Sequence, residues 1–320
     1  MTAIPRRDFL AGASSCAAHL ALLGLVAPRP WRWVRRAAPQ GAVVAREPFG
    51  YLERVGERIW ALVSTPLDGA RQTVANGGLI AGRDGVLAIE GFYQPEGARW
   101  LAARARDLTG QWPTHVAITH YHADHANGVA GYVEDERHPA VRTTDTTRDL
   151  VVERNRPDAG TLAVLRDVQV LSPDEETVLD LGGRVVRVLP HEGHTASDVA
   201  LVVDEQDILF CGDLVWHGMF PNYVDALPSR LKAAVAAIRR GPDTIYVPGH
   251  GPVGRSADFD RYAAMIDVVE QEARRAHAAG RTPAEAAATF TLPPALGEWT
   301  LFGPTFFERA FTAWYREFDT

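Results

Sequence analysis

One short stretch of the chain concentrates side chains that bind metal ions. His120, His122, Asp124 and His125 supply three imidazoles and a carboxylate within six residues, directly after an apolar segment. Side chains two residues apart on an extended chain point the same way, so His120 and His122 can converge on one ion. Asp124 and His125 fall where the chain turns and can face a second ion. Clustered nitrogen and oxygen donors of this kind suit zinc or a similar transition metal.

Three later positions repeat the pattern of a metal-binding side chain after a strand-like run. His194, Asp213 and His250 each stand in a Gly-containing loop that directly follows an apolar or β-branched run. Loops at strand ends are where rigid sheets present functional groups. A polar loop with hydrogen-bonded histidines would explain one such motif. Because the motif recurs at several strand ends, the sequence predicts a metal centre.

The elements around these motifs predict a layered α/β fold. From Gly50 onward short β-branched or apolar runs alternate with Gly-rich turns and are typical of strands, including residues 58–63, 72–80 and 115–119. After His250 the chain becomes helical, and the last helix carries an aromatic face typical of a core or a dimer surface. Two runs of strands, each followed by helices, indicate a sandwich with helices outside.

The ordered motifs resemble the five motifs of the metallo-β-lactamase superfamily, over about residues 74–254. That resemblance implies a four-layered αββα sandwich with the site at one edge of the sheets. It assigns His120, His122 and His194 to a first metal ion, Asp124, His125 and His250 to a second, and Asp213 to a bridge between them.

The resemblance implies hydrolysis. Two Zn²⁺ per chain, with iron or manganese as alternatives, would lower the pKa of a bridging water from about 15.7 to about 7. We therefore expect a metal-bridging hydroxide to cleave an ester, thioester, lactone or amide bond of a small-molecule substrate. Asp124 is predicted to be catalytic as well, by orienting the hydroxide and passing its proton towards the leaving group.

Family resemblance does not determine the substrate. Hydrolysis of β-lactams is an alternative, although many β-lactamases of the superfamily have Cys or a non-ligand where this chain has Asp213. The fully carboxylate-bridged set looks more like thioesterases, lactonases and esterases. Alternatives of another class are a mononuclear iron oxidoreductase and a non-catalytic metal-binding protein. The superfamily often has Asp where this chain has Glu90, which puts a contact behind the ligands in doubt.

The loop that follows Asp213 is rich in groups that bind ligands. His217, Asn222 and Tyr223 stand in it and are predicted to line the substrate pocket, with simple loop packing as the alternative reading.

The first 40 residues differ from the rest. Arg6 and Arg7, followed by Phe9-Leu10 and a mildly apolar run, resemble a twin-arginine (Tat) export signal. We expect a periplasmic or otherwise exported protein, with membrane attachment through an uncleaved signal as an alternative. With its metal motifs, the chain looks closest to exported metallo-hydrolases of the group often associated with quinoprotein or sulfur-oxidation systems.

Length and charge narrow the organisation and the partners. The chain has 320 residues and a formal net charge of -7, which argues against a nucleic-acid partner. We expect a signal or anchor and linker over residues 1–40, a core over 41–255 and a helical C-terminal extension packed on the core over 256–320. A homodimer is an alternative that the aromatic helix leaves open.

Overall fold

The computed structural model describes residues 41–65, 70–303 and 305–320. The signal, anchor and linker predicted over residues 1–40 lie outside the described residues, so export and membrane attachment stay predictions. Within the described ranges, none of the helices combines the length and the apolar character needed to cross a membrane.

The first sheet contains eight strands that are neighbours in chain order. Strands one to five are antiparallel to one another, whereas strands five to eight are parallel. Parallel neighbours end at the same edge of a sheet, so the segments after β5 and β6 emerge side by side. The strands are β1 (Val43–Glu47), β2 (Gly50–Gly56), β3 (Ile59–Ser64), β4 (Gly77–Ala81), β5 (Val86–Ile89), β6 (His115–Ala117), β7 (Ala140–Thr144) and β8 (Gln169–Leu171).

The second sheet contains five strands in the order β13-β12-β11-β10-β9. Its pairs are antiparallel except β12 with β13, which are parallel. The carboxyl ends of β10, β12 and β13 therefore meet at one edge. The strands are β9 (Thr177–Asp180), β10 (Val185–His191), β11 (Asp198–Val203), β12 (Ile208–Trp216) and β13 (Ile245–His250).

Eight α-helices lie in the described part of the chain. They are α1 (Pro95–Thr109), α2 (Ala123–Ala126), α3 (Asp145–Leu150), α4 (Ala159–Arg166), α5 (Pro228–Ile238), α6 (Ser256–Ala278), α7 (Pro283–Thr289) and α8 (Phe306–Phe318).

The boundaries of α1 follow from its terminal residues. Pro95 starts the helix, where its missing N–H is no loss, and Gly110 ends it with a φ of 80° that favours glycine. The N–H of Gly110 donates to the carbonyl of Arg106, which satisfies one of the last carbonyl groups of the helix. Leu101 and Ala105 lie on the buried face, which packs on the first sheet.

Three hydrophobic clusters separate four layers. Alternate residues of a strand point to opposite faces, so Leu79 of β4 packs towards α1 while its neighbour Ile80 packs between the sheets. In β12, Phe210 packs between the sheets, whereas Leu209 packs towards the C-terminal helices. Strands buried on both faces explain why many strand segments are continuous apolar runs. The predicted four-layered αββα sandwich is confirmed.

The helices after β13 belong to the outer layer on the second sheet. Tyr262 of α6 and the aromatic side chains Phe311 and Trp314 of α8 are buried in the same cluster as Leu209. The aromatic face of α8 is thus covered by the chain itself in the described structure.

Some strand predictions were wrong in their limits. The strand predicted over residues 72–80 begins only at Gly77, because the residues before it form a loop that contacts the end of β13. Strands β1, β2 and β7 were not predicted from the sequence. Strand β1 is mostly exposed and pairs on one side only, with β2, so it lacks the apolar alternation that marks a half-buried strand.

Candidate metal centre

Seven side chains that the sequence predicts as ligands lie together at one edge of the two sheets. They come from the segment that runs from β6 into α2, from the loop after β10, from β12 and from the end of β13. None is more than 4% exposed: His120, His122, Asp124, His125, His194, Asp213 and His250. So many buried ionisable groups require a partner that offsets their loss of hydration.

The first group of donors contains three imidazoles and one carboxylate. Donor atoms of His120, His122, His194 and Asp213 all lie within 4.8 Å of one another. Nδ1 of His122 lies 3.1 Å from Nε2 of His120 and 3.0 Å from Nε2 of His194. Oδ2 of Asp213 lies 3.2 Å from Nε2 of His194. These atoms can surround one ion.

The second group lies beside the first and uses two imidazoles and a carboxylate. Donor atoms of Asp124, His125 and His250 also lie within 4.8 Å of one another. Oδ1 of Asp213 lies 3.2 Å from Nε2 of His125 and 3.4 Å from Nε2 of His250. The two oxygens of Asp213 therefore face different groups.

The donor atoms fit metal ions better than they fit one another. Nε2 of His125, Nε2 of His250 and Oδ1 of Asp213 are buried and close together, yet none makes a hydrogen bond to another described residue. A buried polar atom without a hydrogen bond is destabilising. Ring nitrogens and carboxylate oxygens that converge on a common point are the ligands that zinc and related metals use. The residues present thus fit the two ions that the motifs imply.

Two glycines allow the strands to approach the centre closely. A Cβ on Gly249 would lie 1.9 Å from Oδ1 of Asp213, and a Cβ on Gly212 would lie 2.8 Å from Oγ1 of Thr119.

The sequence predicts Asp213 and His250 in loops that follow strands. In the structure Asp213 lies within β12 and His250 ends β13, because the pairing of these strands becomes irregular but continues past Gly212.

Comparison with known proteins agrees with this geometry. A family model described as the metallo-beta-lactamase superfamily matches residues 71–250, which include all seven side chains. The chain belongs to the metallo-β-lactamase superfamily.

Curated relatives are similar to this chain in sequence, and solved structures share its fold. A hydroxyacylglutathione hydrolase of Rhodopseudomonas palustris (strain BisA53) is 30% identical over 213 residues, which cover 64% of this chain and 72% of the relative. A metallo-β-lactamase from Pontibacter korlensis superposes with a TM-score of 0.56 at 22% identity, covering 68% of this chain and 98% of that one. A stereoselective inverting sec-alkylsulfatase from Pseudomonas sp. gives a TM-score of 0.69 at 13% identity, covering 96% and 62%. Membership of the metallo-β-lactamase superfamily, with relatives named as hydrolases, identifies the chain as a metal-dependent hydrolase.

Glu90 lies behind the second group of this metallo-β-lactamase site. Its Oε1 lies 3.0 Å from Nδ1 of His125 and accepts a hydrogen bond of 2.6 Å from the hydroxyl of Thr119. Its Oε2 accepts from the backbone N–H of Thr119 at 3.2 Å. The backbone of Glu90 has a φ of 78°, which is uncommon for a residue other than glycine. The contact that the sequence put in doubt is therefore made by the longer carboxylate side chain.

Asp225 lies behind the first group and was missed by the sequence analysis. Its Oδ2 lies 3.2 Å from Nε2 of His122 and accepts a hydrogen bond of 2.5 Å from the hydroxyl of Tyr121. Its Oδ1 accepts from Nη1 of Arg154 at 3.1 Å. Ligating histidines commonly donate their second ring nitrogen to a carboxylate, which fixes the ring orientation. No local pattern could reveal this pair, since 103 positions separate its members.

Asn76 holds the loop that carries His250, and the sequence analysis missed it too. Its Nδ2 donates to the carbonyls of Pro248 and Gly251, at 2.9 and 2.6 Å. Its Oδ1 accepts from the backbone N–H of Ser64 at 2.8 Å. One buried amide thus joins the end of β3 to the end of β13.

The electrostatics of the two groups differ. Burial lowers the pKa of His125, but the carboxylates of Asp213 and Glu90 outweigh it and raise that pKa well above its ordinary value. Burial likewise opposes the charged form of His250, yet Asp213 and Asp124 raise the pKa of His250 to about 9.

In the first group, burial and positive charge outweigh the effect of the carboxylate on the pKa of His120. Burial and the neighbouring positive charge of His125 lower the pKa of His120 well below its ordinary value. Burial raises the pKa of Asp213, but His250 and His125 outweigh it and hold that pKa well below the usual range. The ligand set therefore combines an ionised bridge with imidazoles of unequal basicity.

The three residues predicted to line the substrate pocket lie outside both donor groups. Nδ1 of His217 lies 2.9 Å from the carbonyl oxygen of Pro252, and its Nε2 lies 3.4 Å from Oδ1 of Asp258. Oδ1 of Asn222 accepts from Nη1 of Arg309 at 3.0 Å.

The third predicted pocket residue, Tyr223, is 1% exposed, and its hydroxyl has no hydrogen-bond partner among the described residues. The hydroxyl of Tyr262, which is fully buried, lacks one in the same way. Lining of the substrate pocket by His217, Asn222 and Tyr223 stays a prediction.

Proposed function

We propose that the chain is a dinuclear zinc hydrolase that cleaves a thioester, or a related ester, lactone or amide, in a small-molecule substrate. The observation that carries the proposal is the placement of Asp213. One of its oxygens lies 3.2 Å from His194 in the first group and the other lies 3.2 Å from His125 in the second. A carboxylate in that position can bridge the two ions of a hydrolytic two-metal site.

The residues around the site would each have a defined task. Two divalent cations bound there would supply hydroxide at neutral pH and polarise the carbonyl oxygen of the substrate, which activates the carbonyl carbon for attack. Asp124, which faces His250 at 3.3 Å, would hold the attacking water and move its proton through a carboxylate oxygen towards the leaving group. No Ser or Cys nucleophile is needed, and the buried Cys211 packs in the core with its pKa raised by burial.

A thioester is the first substrate class to examine because the relative from R. palustris is named a hydroxyacylglutathione hydrolase. The single lysine of the chain, Lys232, is paired with Asp267 and Glu270 at 2.7 and 2.8 Å and is therefore committed to ion pairs.

Metal analysis with a substrate panel tests the proposal. We expect about two zinc ions per chain and turnover of an S-acyl thioester above that of a matched lactone and a β-lactam. One iron per chain would contradict the dinuclear hydrolase, and β-lactam turnover above the other two would replace the substrate class.

Replacement of the proposed proton carrier gives a sharper test. In Asp124→Asn the amide keeps a donor oxygen but cannot accept a proton, so kcat should fall by about 10² to 10⁴ fold at unchanged metal content. Asp149→Asn, at an exposed position paired with Arg148, is the matched control and should behave as wild type. Full turnover by Asp124→Asn with both ions bound would remove the proposed role.

We also propose export through the Tat pathway, supported by Arg6 and Arg7 ahead of the apolar run. Replacement of both arginines by lysine should retain the full chain in the cytoplasm of its host. Unchanged export would exclude this route.

A further inference from the structure

A cavity opens at the end of the sheets opposite to the metal centre. Its volume is about 450 Å³. Strand β4 starts next to Asn76, which holds the loop of His250, and ends at Ala81, which lines this cavity. Five residues of strand, at a rise of about 3.3 Å each, put the cavity roughly 15 Å from that loop. It is therefore separate from the proposed active site.

The wall of this cavity is basic. Three arginines contribute to it, and they come from separate turns: Arg58 precedes β3, Arg83 follows β4, and Arg184 precedes β10. The other lining residues are Ala81, Gly82, Thr109, Gln111, Gly182 and Gly183, so none of the residues that line it is acidic. Three cations around one cavity are unusual in a chain with a net charge of -7 and call for an anion.

Arg184 carries the strongest sign of a missing ligand. The residue is 8% exposed, its Nη1 pairs with Glu205, and its Nη2 donates to the carbonyl of Glu57 at 3.1 Å. Its Nε is buried and has no hydrogen-bond partner among the residues that the structure describes. An unpaired N–H of a buried cation is destabilising, so Arg184 holds a donor that the described residues do not satisfy.

The other two arginines also keep donors available. Arg58 donates Nη2 to the carbonyl of Gly82 at 3.0 Å, and no ion pair joins it to a carboxylate within the described ranges. Arg83 pairs with Asp84 through Nε and Nη2, but that pair is strongly exposed and therefore weak. The remaining Nη1 of Arg83 lies 4.0 Å from where a Cβ on Gly183 would stand.

The turn between β9 and β10 leaves open space at Gly183, where a Cβ would meet only Nη1 of Arg83 at 4.0 Å, whereas a Cβ on Gly182 would lie 2.4 Å from Oδ2 of Asp84. Gly182 and Gly183 have φ values of 84° and 76°, a conformation that favours glycine and puts no side chain into the cavity. The N–H groups of both glycines donate to Oδ1 of Asp180, which directs this carboxylate towards the turn.

We propose that this cavity binds a phosphoryl oxyanion, held by Arg58, Arg83 and Arg184. Guanidinium groups match the oxygens of phosphate in paired hydrogen bonds, and donors arriving from three turns suit an anion with several oxygens. Since Arg58 and Arg83 belong to turns of the first sheet and Arg184 to a turn of the second, the bound anion joins the two sheets.

Calorimetric titration of the metal-loaded protein tests this site. Inorganic phosphate and glycerol phosphate are titrated at constant ionic strength into wild type and into Arg58→Gln, Arg83→Gln and Arg184→Gln. Arg275→Gln, at an exposed position of α6 where the arginine pairs with Glu272, is the matched control. We expect each cavity variant to weaken phosphate binding at least about tenfold, with the control unchanged.

Two readouts separate this site from phosphate that binds the metal ions. Binding at the ions should persist in every arginine variant, and zinc content and turnover of the preferred substrate should stay as in wild type. Tighter binding of glycerol phosphate would identify an organic phosphate as ligand, and tighter binding of inorganic phosphate would identify the free ion. Absence of binding beyond the metal centre, or equal binding in all variants, would overturn the proposal without touching the proposed hydrolase.

Discussion

The two donor groups of the metal centre are supported from behind in different ways. In the first group, His122 contacts Asp225, whose side chain is 18% exposed and also pairs with Arg154. In the second group, His125 contacts Glu90, which is 1% exposed and accepts a hydrogen bond from Thr119. One group is therefore backed by a screened carboxylate near solvent and the other by a fully buried one.

This difference indicates how charge is distributed between the two groups of the metal-free centre. The second group has more negative charge around it, and this charge raises the pKa values of His125 and His250. The first group has mainly imidazoles, and His120 stays neutral instead. Metal binding must displace protons from the second group, so its affinity should depend on pH more steeply than that of the first group.

Removal of the shared bridge should have the largest effect, because it damages both groups at once. In Asp213→Asn we expect zinc content below two per chain and a fall in kcat/KM of more than about 100-fold, beyond what loss of an outer contact gives. Elemental analysis and steady-state kinetics measure both. Wild-type zinc content in this variant would show that the groups are independent.

The pH dependence of the metal-free protein tests the proton-holding role of the second group. The folded-state pKa of His250 is raised from 6.5 to about 9, so its stabilisation is complete below pH 6.5 and is lost as the pH rises through 9. His250 alone should lower the free energy of unfolding across that window by about 3 kcal/mol. The pKa of Asp213 is lowered, so Asp213 stabilises the folded state at pH values above its ordinary pKa. That contribution is therefore constant across this window.

Denaturant unfolding at pH 6, 7.5 and 9 provides the measurement. The metal-free His250→Gln variant should lose about half of the slope, because the pKa of His125 is also raised well above its ordinary value and His125 supplies the rest. Metal-loaded wild type should show no such fall, because the ligating nitrogens are already deprotonated. A flat profile for metal-free wild type would contradict the assignment of the protons.

Neutralising Glu90, the buried carboxylate behind the second group, should selectively weaken binding of the second ion. In Glu90→Gln we expect an affinity for the second zinc about 10- to 100-fold lower, while the first zinc is held as before. Glu90→Asp, which keeps the charge on a shorter side chain, should lie in between. Glu134→Gln, in an exposed pair with Arg137, is the control. Equal weakening of both ions would erase the distinction between the groups.

The partly buried support, Asp225, should matter least. Asp225→Asn is expected to lower the affinity for the first zinc by about tenfold, the lower end of the range for such contacts, since solvent and Arg154 already screen this carboxylate. Asp204→Asn, at a surface position paired with Arg187 and Arg240, is the matched control. Competition with a chromogenic chelator resolves the two affinities, and a larger loss than in Glu90→Gln would reverse the ranking.

Much of the fold and the ligand set could be predicted from the sequence because both depend on local patterns. Apolar runs marked the central strands, and side chains such as His194 and His250 stood out directly after them. Strand β1 was not predicted because it is a mostly exposed edge. Asp225 and Asn76 were not predicted as supports, since a carboxylate or an amide in a loop has no distinguishing neighbourhood until the chain is folded.

The sequence by itself determined which side chains could bind metal and which strands carry them, because ligand chemistry and strand periodicity are properties of short segments. Only the tertiary structure decided how those ligands are supported. It brought Asp225 to His122, let Glu90 reach His125 from a left-handed backbone, and placed Arg58, Arg83 and Arg184 around one cavity. Such contacts join residues that are distant in the chain, and their distances follow from the packing of the two sheets.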